Sequence, residues 1–133
     1  MSNEAIVLSN LVKYYDGRCV LDGIDLVIPP GCIYGLLGRN GAGKTTIIRM
    51  LLGLEPVTRG AVKLLGKEAA WLTAEERGRI GYVAEGHHLI QGYKVSKLAD
   101  LCRSLSRRWD GEFFDKLMQT FRLPLNRKVR QLS

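Results

Sequence analysis

The chain has 133 residues, 46% hydrophobic and 25% charged, the balance of one soluble globular domain or a part of one. Twenty Lys and Arg against 13 Asp and Glu leave a formal net charge of +7. No apolar run approaches the roughly 20 residues that span a bilayer, and Met1-Ser2-Asn3-Glu4 lacks the basic-then-apolar layout of a secretory signal, so a cytosolic chain is expected.

Residues 4–13 mix apolar and polar positions around Ile6-Val7-Leu8, Leu11 and Val12, which suits two short strands or a hairpin. Ile24 to Ile28 alternates apolar and polar side chains, the period of a half-buried strand. Pro29-Pro30-Gly31 punctuates, and the apolar run Cys32-Ile33-Tyr34-Gly35-Leu36-Leu37 predicts a second strand. After a glycine-rich loop, Thr46-Ile47-Ile48-Arg49-Met50-Leu51-Leu52 has helical spacing, with Gly53 as its C-terminal cap. Pro56 through Gly60 reads as a turn, and Ala61-Val62-Lys63-Leu64-Leu65 as a strand that stops at Gly66. Thr73-Ala74-Glu75-Glu76 has the layout of a capping box, and Ile80-Gly81-Tyr82-Val83 that of a buried strand. Two amphipathic helices follow: Val95, Leu98, Leu101, Cys102 and Leu105 mark one, and Phe113, Phe114, Leu117, Met118 and Phe121 the other. They meet near Trp109-Asp110. The chain therefore divides into a β-rich front, residues 1–86, and a helical part, residues 87–133.

The glycine-rich loop carries the chemistry. Gly38-Arg39-Asn40-Gly41-Ala42-Gly43-Lys44-Thr45-Thr46 fits G-x-x-x-x-G-K-[ST], a phosphate-cradling P-loop, in the required order of strand, loop and helix. Glycine at Gly41 and Gly43 removes side chains that would block a triphosphate, and the helix that follows presents the positive end of its dipole. Lys44 is expected to reach the β and γ phosphates, and the Thr45 hydroxyl to ligate Mg²⁺, a cation that takes oxygen ligands. Arg39, Asn40 and Ala42 contribute mainly backbone. The ligand implied is a nucleoside triphosphate with its magnesium.

The other candidate features point elsewhere or nowhere. Cys19, Cys32 and Cys102 are odd in number, widely spaced and in no C-x-x-C pair, so reduced and mostly buried thiols are expected. Arg103, Arg107, Arg108, Arg122, Arg127, Lys128 and Arg130 make the second half basic. Without interleaved aromatics they read as solvated faces, and no nucleic-acid partner is expected. The adjacent His87 and His88 are poorly placed to chelate on one face and read as surface residues. No Asn-Lys-x-Asp guanine-reading motif occurs, which argues against a GTPase, and the basic residues form no obvious kinase lid.

Taken together, the order of features resembles the nucleotide-binding domain of ATP-binding cassette (ABC) ATPases. Leu21 to Gly31 resembles the lead-in to the family's P-loop. Val12-Lys13-Tyr14-Tyr15-Asp16-Gly17 resembles the segment that offers an aromatic ring to adenine, with Tyr15 the best-fitting position and Tyr14 the alternative. Arg79 to Glu85 is similar to the strand and switch loop, with glutamate where many members have glutamine. The closing Leu132-Ser133 matches the first two residues of the signature. The resemblance implies an α/β P-loop core with an N-terminal antiparallel β part, an α-helical subdomain and the C-terminal part of the core missing.

It further implies ATP and Mg²⁺ as ligands, with the loop from Gly38 to Thr46 and Tyr15 on the nucleotide, Lys44 and Glu85 as catalytic residues, and Thr45 and Glu85 on magnesium. Ser133 would cap the nucleotide of a second ABC ATPase subunit in a head-to-tail dimer. A membrane permease would complete the transporter, with the ATPase held at the inner face of the cell membrane. Glu85 is a weak pointer toward export. The second acidic (Walker B) strand of the family, an apolar strand ending in Asp-Glu, occurs nowhere in the sequence, so the chain is expected to bind nucleotide without turning it over. The alternative reading is a soluble ABC ATPase acting on nucleic acid or ribosomes.

Overall fold

A computed structural model describes residues 4–84, residue 86 and residues 89–132. The chain packs as two compact units, Met1–Arg77 and Gly78–Ser133.

The first unit is an antiparallel sheet with one helix against it. Strand β1 (Ile6–Tyr15) pairs with β2 (Arg18–Ile28) on one side and β3 (Arg59–Leu64) on the other, and the short β4 (Lys67–Glu68) closes the order β2-β1-β3-β4. The expected two short strands in residues 4–13 are one long strand instead. What interrupts its pattern is a bulge: register slips between Leu8 and Leu11, Asn10 takes φ 44°, and its N–H donates to Asp25 Oδ1 at 2.8 Å. Gly60 lies over this bulge at φ 89°, where a β-carbon would collide with the backbone oxygens of Ser9 and Asn10. Asp16 and Gly17, both with positive φ, make the two-residue turn from β1 to β2.

Helix α1 (Lys44–Leu51) turns Ile47 and Met50 onto Leu8, Leu11, Leu21, Val62 and Ala69 of the sheet side, and these residues form the buried core. The helix ends as Gly53 foretold. At φ 66° Gly53 donates to Met50 O (2.9 Å) and Leu54 donates to Arg49 O (2.9 Å), the paired bonds of a Schellman motif. The predicted capping box is also present before the short helix α2 (Ala74–Arg77): Thr73 N–H donates to Glu76 Oε2 at 2.9 Å and Glu76 N–H to Thr73 Oγ1 at 3.3 Å.

In the second unit, helices α3 (Val95–Leu105) and α4 (Gly111–Thr120) match the two apolar spacings. Trp109 packs on Phe114 with ring centroids 5.1 Å apart. The first turn of α3 has no side-chain cap. Its Val95 and Ser96 N–H groups donate to the carbonyls of Arg127 and Leu125, both at 3.0 Å. The segment after α4 is thereby tied back to the start of α3.

Three further expectations fail. Residues 32–37 and 80–84 are irregular rather than strands, with Ile33, Leu37 and Val83 almost fully exposed. An apolar run becomes a strand when a neighbour takes its backbone hydrogen bonds, and no strand among the described residues pairs with either run. The thiols of Cys19, Cys32 and Cys102 are free but exposed, not buried: Cys19 on β2, Cys32 in the irregular run before the glycine-rich loop, and Cys102 on α3.

Candidate nucleotide-binding site

The loop from Gly38 to Thr46 is built by glycines with left-handed backbone and by one lysine. Gly41 and Gly43 stand at φ 80° and 84°, the region that favours glycine. Gly41 has open space where a side chain would be, so its conformation alone demands glycine. At Gly43 the space is filled as well, since a β-carbon would sit 2.5 Å from Leu21 Cδ2. Strand β2 thus presses against the last loop residue before α1. Ala42 N–H donates to Arg39 O at 3.1 Å and closes the loop's turn.

Lys44 folds back over this turn. Its Nζ donates to Gly38 O at 2.7 Å and to Arg39 O at 2.8 Å, which fixes the ammonium at the loop's open side. Gly43 caps α1 with no side-chain hydrogen bond, and no acidic residue occupies the first turn. The orphan N–H groups of that turn therefore meet no competing anion from the helix itself. Thr45 is exposed and Thr46 half-buried. Gly38, Arg39, Asn40, Gly41 and Ala42 are exposed as well. A triphosphate with its magnesium fits this donor set: glycine backbone, one ammonium and one accessible threonine hydroxyl.

Tyr15 sits at the tip of the β1–β2 hairpin, paired with Arg18, and its ring is partly exposed (38%). Tyr14, the alternative, is also exposed but differently engaged: its hydroxyl is held above the usual range, first by a hydrogen bond to the Cys19 side chain and then by that group's charge. Sequence reading passed over Lys13. Its side chain is buried, its Nζ lies 2.7 Å from Glu55 Oε1 and donates to Pro56 O at 2.7 Å, and it stands over the Tyr15 ring at 4.6 Å. The Lys13 hydrogen bond is also what holds the Glu55 carboxyl below the usual carboxylate range, against the opposing effect of burial. A lysine two positions before an aromatic was visible in the sequence, but nothing there indicated that it is buried.

Glu85 and Ser133, with His87 and His88, lie outside the described residues. The seven basic residues of the second half are all exposed.

Residues 21–133 match the model of the family described as ABC transporter. The chain is 37% identical over 99 residues to the hypophosphite import ATP-binding protein HtxD of Stutzerimonas stutzeri, covering 71% of this chain and 29% of that protein. It is 40% identical over 88 residues to the Nod factor export ATP-binding protein I of Cupriavidus metallidurans, with 66% and 29% covered. With the ABC transporter ATP-binding protein YtrB of Bacillus subtilis it shares 32% identity over 128 residues, 96% of this chain and 44% of the relative. A solved structure of an ATP binding subunit of an ABC transporter superposes with a TM-score of 0.81 at 25% identity, over 97% of this chain and 56% of that one. The chain thus spans roughly a third to a half of the proteins it matches. With the P-loop formed on the end of α1 and both sequence and fold agreeing, the chain belongs to the ABC transporter family, in the part held by its ATP-binding subunits.

Proposed function

We propose that this chain is the nucleotide-binding part of an ABC transporter ATPase, which couples binding and hydrolysis of MgATP to movement of a substrate across a membrane. The observation that carries this reading is the Lys44 ammonium held on the Gly38 and Arg39 carbonyls in front of the α1 N-terminus. In this reading the ammonium neutralises a β or γ phosphate bound in the loop. The glycine backbone lets the phosphates approach the first-turn N–H groups, and the Thr45 hydroxyl supplies one oxygen to magnesium. Bound magnesium supplies charge neutralisation on the phosphates. Lys44 adds a charge-assisted hydrogen bond, worth about 1.5–3 kcal/mol, and Tyr15 offers a ring to the base.

In the same reading Glu85 contributes an oxygen to magnesium or to the attacking water, Ser133 acts on the nucleotide of a second, head-to-tail subunit, and a permease holds the pair at the inner face of the membrane. Functionally, residues 1–86 form the ATP-binding core and residues 87–133 the helical part that leads to the signature. Export is the proposed direction, resting on Glu85; the relatives' names include both import and export. No nucleic-acid partner is proposed. The 133 residues alone are proposed to bind nucleotide rather than turn it over, since no apolar strand ending in Asp-Glu occurs among them.

Titration calorimetry with MgATP tests the reading. The chain is expected to bind MgATP, and Lys44→Ala to lose that binding while keeping the helical signal in circular dichroism. Unchanged affinity in Lys44→Ala would sink it.

A further inference from the structure

We propose that Lys13 and Glu55 are positioning residues for the nucleobase: together they hold the Tyr15 ring at a fixed place relative to the phosphate loop. The inference rests on the reading of Tyr15 as the base platform and goes beyond it. A lysine is seldom buried without cause, and Lys13 is only 5% exposed. Its ammonium has two acceptors, Glu55 Oε1 and the Pro56 carbonyl, both at 2.7 Å. Both belong to the segment that follows the Schellman end of α1. With the ring 4.6 Å away, the same ammonium covers one face of Tyr15 and leaves the ring partly exposed for a flat partner.

The arrangement joins two halves of one ligand site through one helix. The N-terminus of α1 carries the P-loop. Its C-terminal end, through Glu55 and Pro56, holds Lys13 and so the ring. Eight helical residues separate the ends, about 12 Å at the standard rise. A rigid helix of that length keeps base platform and phosphate cradle in register. A cation on one face also draws electron density from the ring, which favours an electron-rich purine on the other. The carboxylate of Glu55 neutralises the buried Lys13 charge next to the ring.

The test separates base from phosphate by using two probes, MgATP and magnesium tripolyphosphate, which has the phosphates and no base. Lys13→Met and Glu55→Gln are each expected to weaken MgATP binding about fivefold, the scale of part of one stacking contact, and to leave tripolyphosphate binding unchanged. Lys13→Arg, which keeps the cation, is expected to restore most of the MgATP affinity. Glu55→Gln is nearly isosteric and keeps the test open if Lys13→Met fails to fold. Equal losses for both probes, or no loss for MgATP, would overturn the proposal while the P-loop reading stands. A wild-type chain that binds neither probe would remove both.

Discussion

A β-carbon on Gly43 would lie 2.5 Å from Cδ2 of Leu21 and 3.4 Å from the Val20 carbonyl oxygen. The phosphate loop is therefore shaped from outside as well as from within, by a strand that enters the sheet more than 20 residues earlier. Gly43→Ala is expected to cost about 1–2 kcal/mol from the left-handed backbone alone, with more from displacing Leu21. Urea unfolding measures the stability loss. Leu21 is itself a core residue, so the comparison is a cycle: measured against Leu21→Ala alone, Gly43→Ala should cost only its backbone part, and no cost in that background would show that φ 84° costs nothing here.

Acid sensitivity should be traceable to Glu76. Its carboxyl is held down to about 2 from an ordinary 4.5, first by the Lys67 ammonium and then by the backbone and hydroxyl of Thr73. A carboxyl with a depressed folded-state value stabilises the fold above its unfolded value, and that contribution fades as pH falls from about 4.5 towards 2. Thermal melts of wild type and Glu76→Gln at stepped pH should show their largest gap above pH 4.5 and a gap that closes on acidification. A gap independent of pH between 5 and 2.5 would contradict the assignment.

In the second unit, Asp110 caps α4 by accepting the Phe113 N–H at 2.9 Å. Asp110→Ala removes that acceptor and is expected to destabilise the unit by about 1 kcal/mol, whereas Asp110→Asn should cost a few tenths. Hydrogen exchange at the amides of Phe113 and Phe114 reads this locally. Equal protection in all three proteins would rule out the cap as a stabilising contact.

Local rules made much of this chain legible. The spacing after Gly43 marked α1, Gly53 marked its end, Thr73 and Glu76 marked a capping box, and the apolar positions of 95–105 and 111–120 marked both later helices. Each of these depends on residues within about four positions of one another. The Asp16-Gly17 turn was equally local and would have shown that β1 continues to Tyr15. The runs 32–37 and 80–84 failed for the opposite reason: their apolar composition is that of a strand, but a strand needs a partner to take its hydrogen bonds, and none of the described strands supplies one.

The same division holds at the site. The sequence by itself determined the phosphate loop, because the identity of Gly41, Gly43, Lys44 and Thr45 and their spacing specify a backbone shape and its charges within one short segment. For the ring, the family resemblance offered Tyr15 with Tyr14 as the alternative. Only the tertiary structure decided what holds that ring. Burial of Lys13 depends on Glu55 and on Pro56, 43 residues away, and a lysine in a strand carries no local mark of whether its charge meets water or a carboxylate. Contacts of that separation are set by how the sheet and α1 pack, and packing is decided by the whole unit rather than by any stretch of it.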